Sequence, residues 1–533
     1  MPTDCISFND TNYFSSLVCD YLEECQELQP FYNRFPKLEN FKNQIEEKEV
    51  SYNQTSRNML VLVLKEQYKT VNSSRQTLDN IALLEDSKTF TITTGHQLNL
   101  FTGPLYFLYK IISTINLTKA LKEEYPDYNF VPIYWMASED HDFEEINYFN
   151  FKGKKIRWNR DAGGGVGDLD TKDLDKVFET YSKELGQGTN ANFLKQLFKN
   201  AYLNYKNLAE ATRYIANELF KDFGLVVIDA NNRNLKRLFI PYIKEELCKQ
   251  TSHRAVSQTN KQINELSGNY KIQVNPREIN LFYLKDGLRE RIVYENGVYR
   301  VFDTDISWSE EDVLRHLDEM PERFSPNVIM RPLYQEVILP NLCYIGGGGE
   351  LAYWFQLKAY FNTVNVPFPM LLLRNSVLIK TKKQSEKLEK LGVSLKELFA
   401  KQQDLINSQV KKLSTIDIDF SLQKEHLQKQ FKALYELAEK TDKSFLGAVA
   451  AQEKKQVKGL SNLEKRLLKA QKRKLNDQVS RITEIQNQLF PGQSLQERNL
   501  NFSELYLEFG DQLIQQLILN LQPLKGEFLI LEL

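Results

Sequence analysis

Apolar positions recur with two different rhythms along this chain, and the changes of rhythm mark out its parts. Residues 1–87 read mostly as helix, interrupted early by Pro30 and Pro36. A dense apolar run at 58–71 reads as a buried helix, although its partial alternation also admits a strand. At 89–94 the chain turns β-branched and aromatic, which predicts a strand, ending in Gly95, His96 and Gln97. Pro104 then opens a helical pattern carried by Leu108, Ile111, Ile112, Ile115 and Leu121. Proline suits a helix start, because its missing N–H is not needed there. A second strand is expected at 130–137, running straight into Ser138, Glu139, Asp140, His141 and Asp142. Strand, polar turn, helix, strand, polar turn is the order of a parallel α/β sheet.

The sheet pattern resumes at 223–230, with a helix from about Asn234, and again at 328–333 and 368–373. Between these pieces, 151–222 and 255–325 read as insertions. The first has a glycine-rich turn at 163–167 followed by helices. The second has strands at 278–284, 291–294 and 299–302, a turn at Asn296-Gly297 and a helix from about Ser309. Residues 377–490 contain no proline and are rich in Lys, Glu, Gln and Leu. There Phe431, Ala438 and Phe445 are seven apart; Leu427, Leu434 and Ala448 differ by multiples of seven; and Leu468, Leu475, Ile482 and Leu489 repeat the spacing. That places them on stripes, as in a coiled coil, broken at 414–420 and ended by Pro491-Gly492. A short strand is expected at 527–533. The organisation predicted is therefore an N-terminal helical segment (1–87), a core in three pieces (88–150, 223–254, 326–376), two insertions (151–222, 255–325), a coiled coil (377–490) and a C-terminal segment returning to the core (491–533).

Composition narrows the class. The chain has 533 residues, 42% hydrophobic and 26% charged, with a formal net charge of −1. That is globular, long enough for more than one unit, and without a global pull toward nucleic acid or membrane. The N-terminus lacks the basic start and apolar run of a secretory signal. The longest apolar runs, 59–64 and 368–373, fall far short of the ~18–20 residues that span a bilayer. Five scattered cysteines without a C-x-x-C pair fit a reducing cytoplasm and no disulfide framework or structural zinc. Cys343, inside an apolar run, reads as a small buried residue rather than a nucleophile.

Five blocks carry candidate chemistry. Gly95, His96, Gln97 and Gly103 lie at a strand-to-helix turn, where open α/β sheets bind ligands and anions. Gly95 would allow close approach, and His96 and Gln97 would donate to a phosphate. The turn resembles the short His-containing turn after the first strand of class I aminoacyl-tRNA synthetases; the alternative is a plain tight turn. Glu139, Asp140, His141 and Asp142, with Glu144 and Glu145, crowd five acids and a histidine into seven residues. Like charges so close call for a cation, an ammonium group or a donor. Roles open to them are amine binding, general base, or holding Mg²⁺ with ATP; a dipole-favoured acidic helix start is the structural alternative. Arg331, with Gln335 and Glu336 beyond it, would clamp a carboxylate or phosphate, or form an ion pair with Glu336. Gly346, Gly347, Gly348 and Gly349 before Glu350 expose backbone N–H groups and permit positive φ, suiting a nucleotide or aminoacyl group. Arg374 and Asn375 end another strand, and Lys380, Lys382 and Lys383 follow as phosphate neutralisers or as a solvated helix start.

Taken in order, the segments TGHQLNLFTGPLYFLYKII (94–112), VPIYWMASEDHDFEEI (131–146), SPNVIMRPLYQEVILPNLCYIGGGGELAYW (325–354) and LLLRNS (371–376) resemble the BshC family, the cysteine ligases of bacillithiol biosynthesis. The resemblance spans essentially the whole chain. It implies a Rossmann-like parallel-sheet core with two inserted connecting subdomains and an α-helical coiled coil that pairs two subunits. The implied activity is carbon–nitrogen ligation of cysteine to glucosaminyl malate, giving bacillithiol in the cytoplasm, with ATP and Mg²⁺. On that view Gly95, His96, Gln97, Gly103 and 346–349 hold the nucleotide, and 139–142 handle the amine. Arg331, Gln335, Glu350, Arg374 and Asn375 bind substrate. Two other readings are a metal-dependent hydrolase built on 139–142 and a non-catalytic coiled-coil assembly protein. Neither a membrane nor a nucleic-acid partner is expected.

Overall fold

The strand-like segments separated by insertions come together as one sheet. The computed structural model describes residues 3–441 and 443–533. Met1 and Pro2, the start of the N-terminus read above as free of a secretory signal, and Asp442, inside the predicted coiled coil, lie outside the described residues. The central sheet is built from β1 (Thr89–His96), β2 (Asn129–Met136), β3 (Val226–Asp229), β4 (Asn341–Gly346) and β5 (Met370–Leu373), all parallel, in the order β5-β4-β1-β2-β3. Every residue of β1 is buried. Sheets covered on both faces favour continuous runs of such residues. The chain steps outward from β1 through β2 to β3, then crosses back to lay β4 on the other side of β1. This is a doubly wound order, and its direction reverses between β1 and β4.

Five helices set the chemistry around that reversal. α1 (Tyr106–Glu124) follows β1, α2 (Arg233–Lys249) follows β3, α3 (Met330–Ile338) precedes β4, and α4 (Gly348–Trp354) follows it. The fifth, Phe41–Ser51 in the N-terminal segment, packs near β4. α3 corrects the expectation of a strand at 328–333. The Asn327 side chain accepts from the N–H groups of Ile329 and Met330 at 2.9 and 3.3 Å, capping a helix. Pro332 falls in its first turn, where no donor is lost. Met330, Leu333, Tyr334 and Ile338 then bury one helical face.

The first insertion carries helices Leu174–Leu185, Thr189–Asn204 and Leu208–Phe220, as expected, preceded by a hairpin of Tyr148–Phe151 and Lys154–Arg157. The second builds a five-stranded antiparallel sheet around Leu281–Lys285, Leu288–Glu295 and Val298–Val301. Asn296 and Gly297 turn its second hairpin with φ of 51° and 81°, the left-handed pair that matches strand twist. Strand Phe528–Glu532 does not join the central sheet: it lies between Thr3–Ile6 and Val377–Lys380 in a separate three-stranded sheet.

The helical region folds back on itself. α5 (Ser421–Ala438) and α6 (Lys443–Lys474) run antiparallel, tied by Lys424–Glu464 at 2.5 Å and Tyr435–Glu453 at 2.8 Å and packed through Phe431, Ala438 and Val449. The predicted stripe Phe431, Ala438, Phe445 therefore crosses a chain reversal instead of following one helix. α7 (Asn476–Leu489) brings Ile482 and Leu489 back into the main core.

Candidate functional site

The reversal between β1 and β4 brings Gly95 and His96 beside 346–349. A Cβ on Gly95 would lie 3.2 Å from the Tyr344 hydroxyl and 4.0 Å from Arg331 Nη1, so these residues lie together at the strand reversal, where a doubly wound sheet forms its crevice. His96 is buried. Its ring lies between Tyr106 and Phe107, and Nε2 lies 3.3 Å from the Thr102 carbonyl. Burial, reinforced by the Lys110 charge, pushes it down to about 3, so the imidazole is neutral. Gln97 is also engaged, donating to Asp140 and Glu145 at 3.0 Å each. Gly103 has φ +62°, after Phe101 and Thr102 at +47° and +68°. This left-handed stretch is held by Asn501, which donates to the carbonyls of Phe101 and Gly103 at 2.8 and 2.6 Å.

The floor of the crevice contains a cation that the sequence reading overlooked. Lys110 reaches from α1 to donate to the Gly95 carbonyl at 2.7 Å and to pair with Glu350 at 2.6 Å. Burial lowers its pKa and Glu350 opposes that. A single lysine amid Leu108, Tyr109, Ile111 and Ile112 was the available signal, since a charge in an apolar helical run needs a partner. Glu350 is committed in turn: it accepts from Tyr344 and from the Gly347 N–H at 2.8 Å each, the second bond satisfying a free donor at the start of α4.

The four glycines do not use the positive φ that is open to them. What they provide is space. A Cβ on Gly346 would meet Tyr344, Leu351 and Glu350 at 2.9, 3.0 and 3.1 Å, whereas one on Gly349 would meet nothing within 4 Å. Beside Gly347, 3.7 Å from its Cβ position, lies Nε of Arg374, a buried donor with no hydrogen-bond partner.

The two arginines differ sharply. Arg374 pairs with Glu497 at 2.7 Å, both buried, and donates to the Asn375 carbonyl and Ser376. Asn375 itself joins Ser113 to the Gln522 carbonyl. Arg331 donates to Gln335 at 3.1 Å and Tyr353 at 3.4 Å, and lies over Trp135 and Tyr344. No carboxylate among the described residues pairs with it. Glu336, the ion-pair partner considered from sequence, pairs instead with Lys48 at 3.2 Å. Lys380 is bonded to Glu532 and Ser385, away from the crevice, and Lys382 and Lys383 open helix Lys382–Leu391.

At the end of β2 the acidic run fans out. Glu139 pairs with buried Lys236 of α2 at 2.6 Å. Asp140 accepts from Gln97 and from the His141 N–H. Burial acts to raise its pKa, but the bonds from His141 and Gln97 and the Arg289 charge hold it well below the usual carboxylate range. His141 Nδ1 accepts from Arg289 at 2.7 Å. Asp142 is exposed, and Glu144 pairs with Arg157. Glu139, Asp140 and His141 thus share the field of Arg289, and the described residues hold no group of three or more His, Cys, Asp or Glu arranged to bind a metal ion. Nearby Asp168, beside Asp229 and Asp286, is raised to about 6, first by burial and then by those charges.

A family model described as the bacillithiol biosynthesis BshC N-terminal Rossmann-like domain matches residues 1–375, and one for the BshC C-terminal coiled-coil domain matches 377–533. The chain belongs to the BshC family. Its relatives in that family include proteins of Christiangramia forsetii and Flavobacterium johnsoniae, each 60% identical, covering 100% of this chain and 99% and 100% of their own lengths. A BshC protein of Cytophaga hutchinsonii is 39% identical over 97% of this chain and 96% of its own. Each of these relatives bears the name "Putative cysteine ligase BshC". The Rossmann-like core, the coiled-coil region and a ligase family in bacillithiol biosynthesis thus agree with the sequence reading. No helix of the described residues is long and apolar enough to cross a membrane.

Proposed function

We propose that the chain is an ATP-dependent ligase that joins the carboxyl group of cysteine to the amine of glucosaminyl malate, the last step of bacillithiol synthesis, in the cytoplasm and as a homodimer paired through its coiled coil. The observation that carries this reading is Arg331: a guanidinium without a carboxylate partner, at the strand reversal of a doubly wound sheet, where such folds bind ligands. An acceptor bearing the two carboxylates of malate supplies the missing counter-charge, and the planar fork of arginine suits it.

The residues at 346–349 fit a nucleotide. Open space at Gly349 and the unpartnered Arg374 Nε beside Gly347 suit an anionic oxygen pressed on the backbone. ATP supplies the leaving group that a carboxylate needs before an amine can displace it, with Mg²⁺ carried on its phosphates. The rest falls to the chain. Arg331, with Gln335 and Tyr353 behind it, holds the acceptor's carboxylate. Asp140, kept ionised, attracts and orients the amine and is too weak a base to take its proton. Glu139, steadied by Lys236, stands beside it.

The test is mass spectrometry of the purified protein with cysteine, glucosaminyl malate and ATP, alongside low-molecular-weight thiols in cells with and without the gene. Bacillithiol should form in vitro, and in deleted cells it should vanish while glucosaminyl malate accumulates. Unchanged thiols and no product would overturn the reading. Full product formation by both D140N and H141A would remove the acidic run from it.

A further inference from the structure

Arg331 is held by a buried relay that begins in the N-terminal helical segment. Lys48, on helix Phe41–Ser51, pairs with Glu336 at 3.2 Å, and the two side chains are only 1% and 0% exposed. The other oxygen of Glu336 accepts from Gln335 at 3.0 Å and from Asn341 at 2.7 Å. Asn341 cannot turn its amide round, because the Glu336 carboxylate it donates to only accepts; its own oxygen accepts from Thr93 at 2.8 Å. Gln335 is equally fixed. A carboxylate only accepts, so the Gln335 amide nitrogen faces Glu336 and its oxygen is left to face Arg331, which only donates. Reversing that amide would set like against like at both ends.

We propose that Lys48 and Glu336 are positioning residues that hold Arg331 in place for an anionic substrate group, acting through the Gln335 amide. This rests on the ligase reading only in naming malate as the anion. Neither residue reaches the crevice, so their effect falls on anion affinity and not on the chemistry of amide formation.

The decisive measurement is calorimetric titration of malate into the full chain, with a melting curve for each variant. The wild type should bind. R331M should lose binding at least tenfold, and K48M/E336M should weaken it about tenfold while melting within a few degrees of wild type. That pair of substitutions removes both charges together, which buried ion pairs tolerate. K48R keeps the ion pair and should bind within about twofold of wild type. If the double variant does not fold, E336Q takes its place: it has the same shape but cannot accept from all three donors, and the same loss is expected. In the ligation assay the variants should raise KM for the acceptor with kcat and the KM for cysteine little changed.

Unaltered malate affinity in the double variant, or a fall in melting temperature with no change in affinity, would reduce the relay to a structural ion pair and overturn the proposal. Equal binding by wild type and R331M, or none by wild type, would overturn it as well, since Arg331 would then have no anion to be positioned for. Intact binding without any ligated product sinks the ligase reading alone and leaves the relay standing.

Discussion

Replacing Arg374 with Met tests the buried ion pair that distinguishes this arginine from Arg331. Arg374 and Glu497 form an ion pair at 2.7 Å with side-chain exposures of 4% and 0%. Removing the cation leaves Glu497 buried, with only the Ser376 hydroxyl at 3.2 Å and the Val377 N–H at 3.3 Å to satisfy it. Breaking a buried pair from one side costs about 3–5 kcal/mol, whereas removing both charges is often neutral. For 533 residues melting as one unit, an unfolding entropy of ~2.1 cal/mol/K per residue converts that cost into a drop of about 3–4 °C. Differential scanning calorimetry should therefore show R374M melting about 3–4 °C below wild type, with R374M/E497M recovering most of the loss. If R374M melted like wild type, the buried pair would add nothing to stability, and the contrast drawn with Arg331 would collapse.

Two further outcomes follow from the crevice. His96 has an ordinary value of 6.5 and a folded value of about 3. The unfolded chain therefore binds a proton that the folded chain refuses, and stability falls by about 1.4 kcal/mol per pH unit as pH drops from 6.5 toward 3. Melting temperature against pH should be flatter for H96Q than for wild type over that window; equal slopes would mean that His96 is not buried neutral. G346A should destabilise by about 1–3 kcal/mol, because its methyl meets Tyr344, Leu351 and Glu350. G349A, inside α4 with nothing near, should be neutral or gain up to about 1 kcal/mol; denaturant titration that ranked them the other way would contradict the close packing at Gly346.

Local signals carried much of the fold because they are local. β1 and β2 are β-branched and aromatic runs that end in glycine or acids, and their ends lie within a few residues of where the pattern put them. The residues at 328–333 misled because a short apolar run has no period of its own, and the Asn327 cap and the placement of Pro332 decided for helix. The glycines at 346–349 were legible as a close approach but not as one made with ordinary φ, since composition permits positive φ without requiring it. In and behind the crevice the sequence pointed to Arg331 and to 139–142, but not to Lys110, Lys236, Arg289 or, deeper in the core, Lys48. Those four come from helices or a strand distant in sequence, and only the tertiary fold says which acid or ring each one meets.

The pairing of β1 with β4 also sets a timetable. Thr94 donates to the carbonyl of Ile345, 251 positions along the chain. Contacts so far apart in sequence form late, because the loop between them must be closed before they repay it. At ~5–20 residues per second on the ribosome, about 10–50 s separate the emergence of the two strands. During that time the C-terminal edge of β1 has Lys110 beneath it but no Glu350 to meet that charge. The crevice is thus a checkpoint in biogenesis: a nascent chain cannot assemble it until both insertions have been made and β4 has docked.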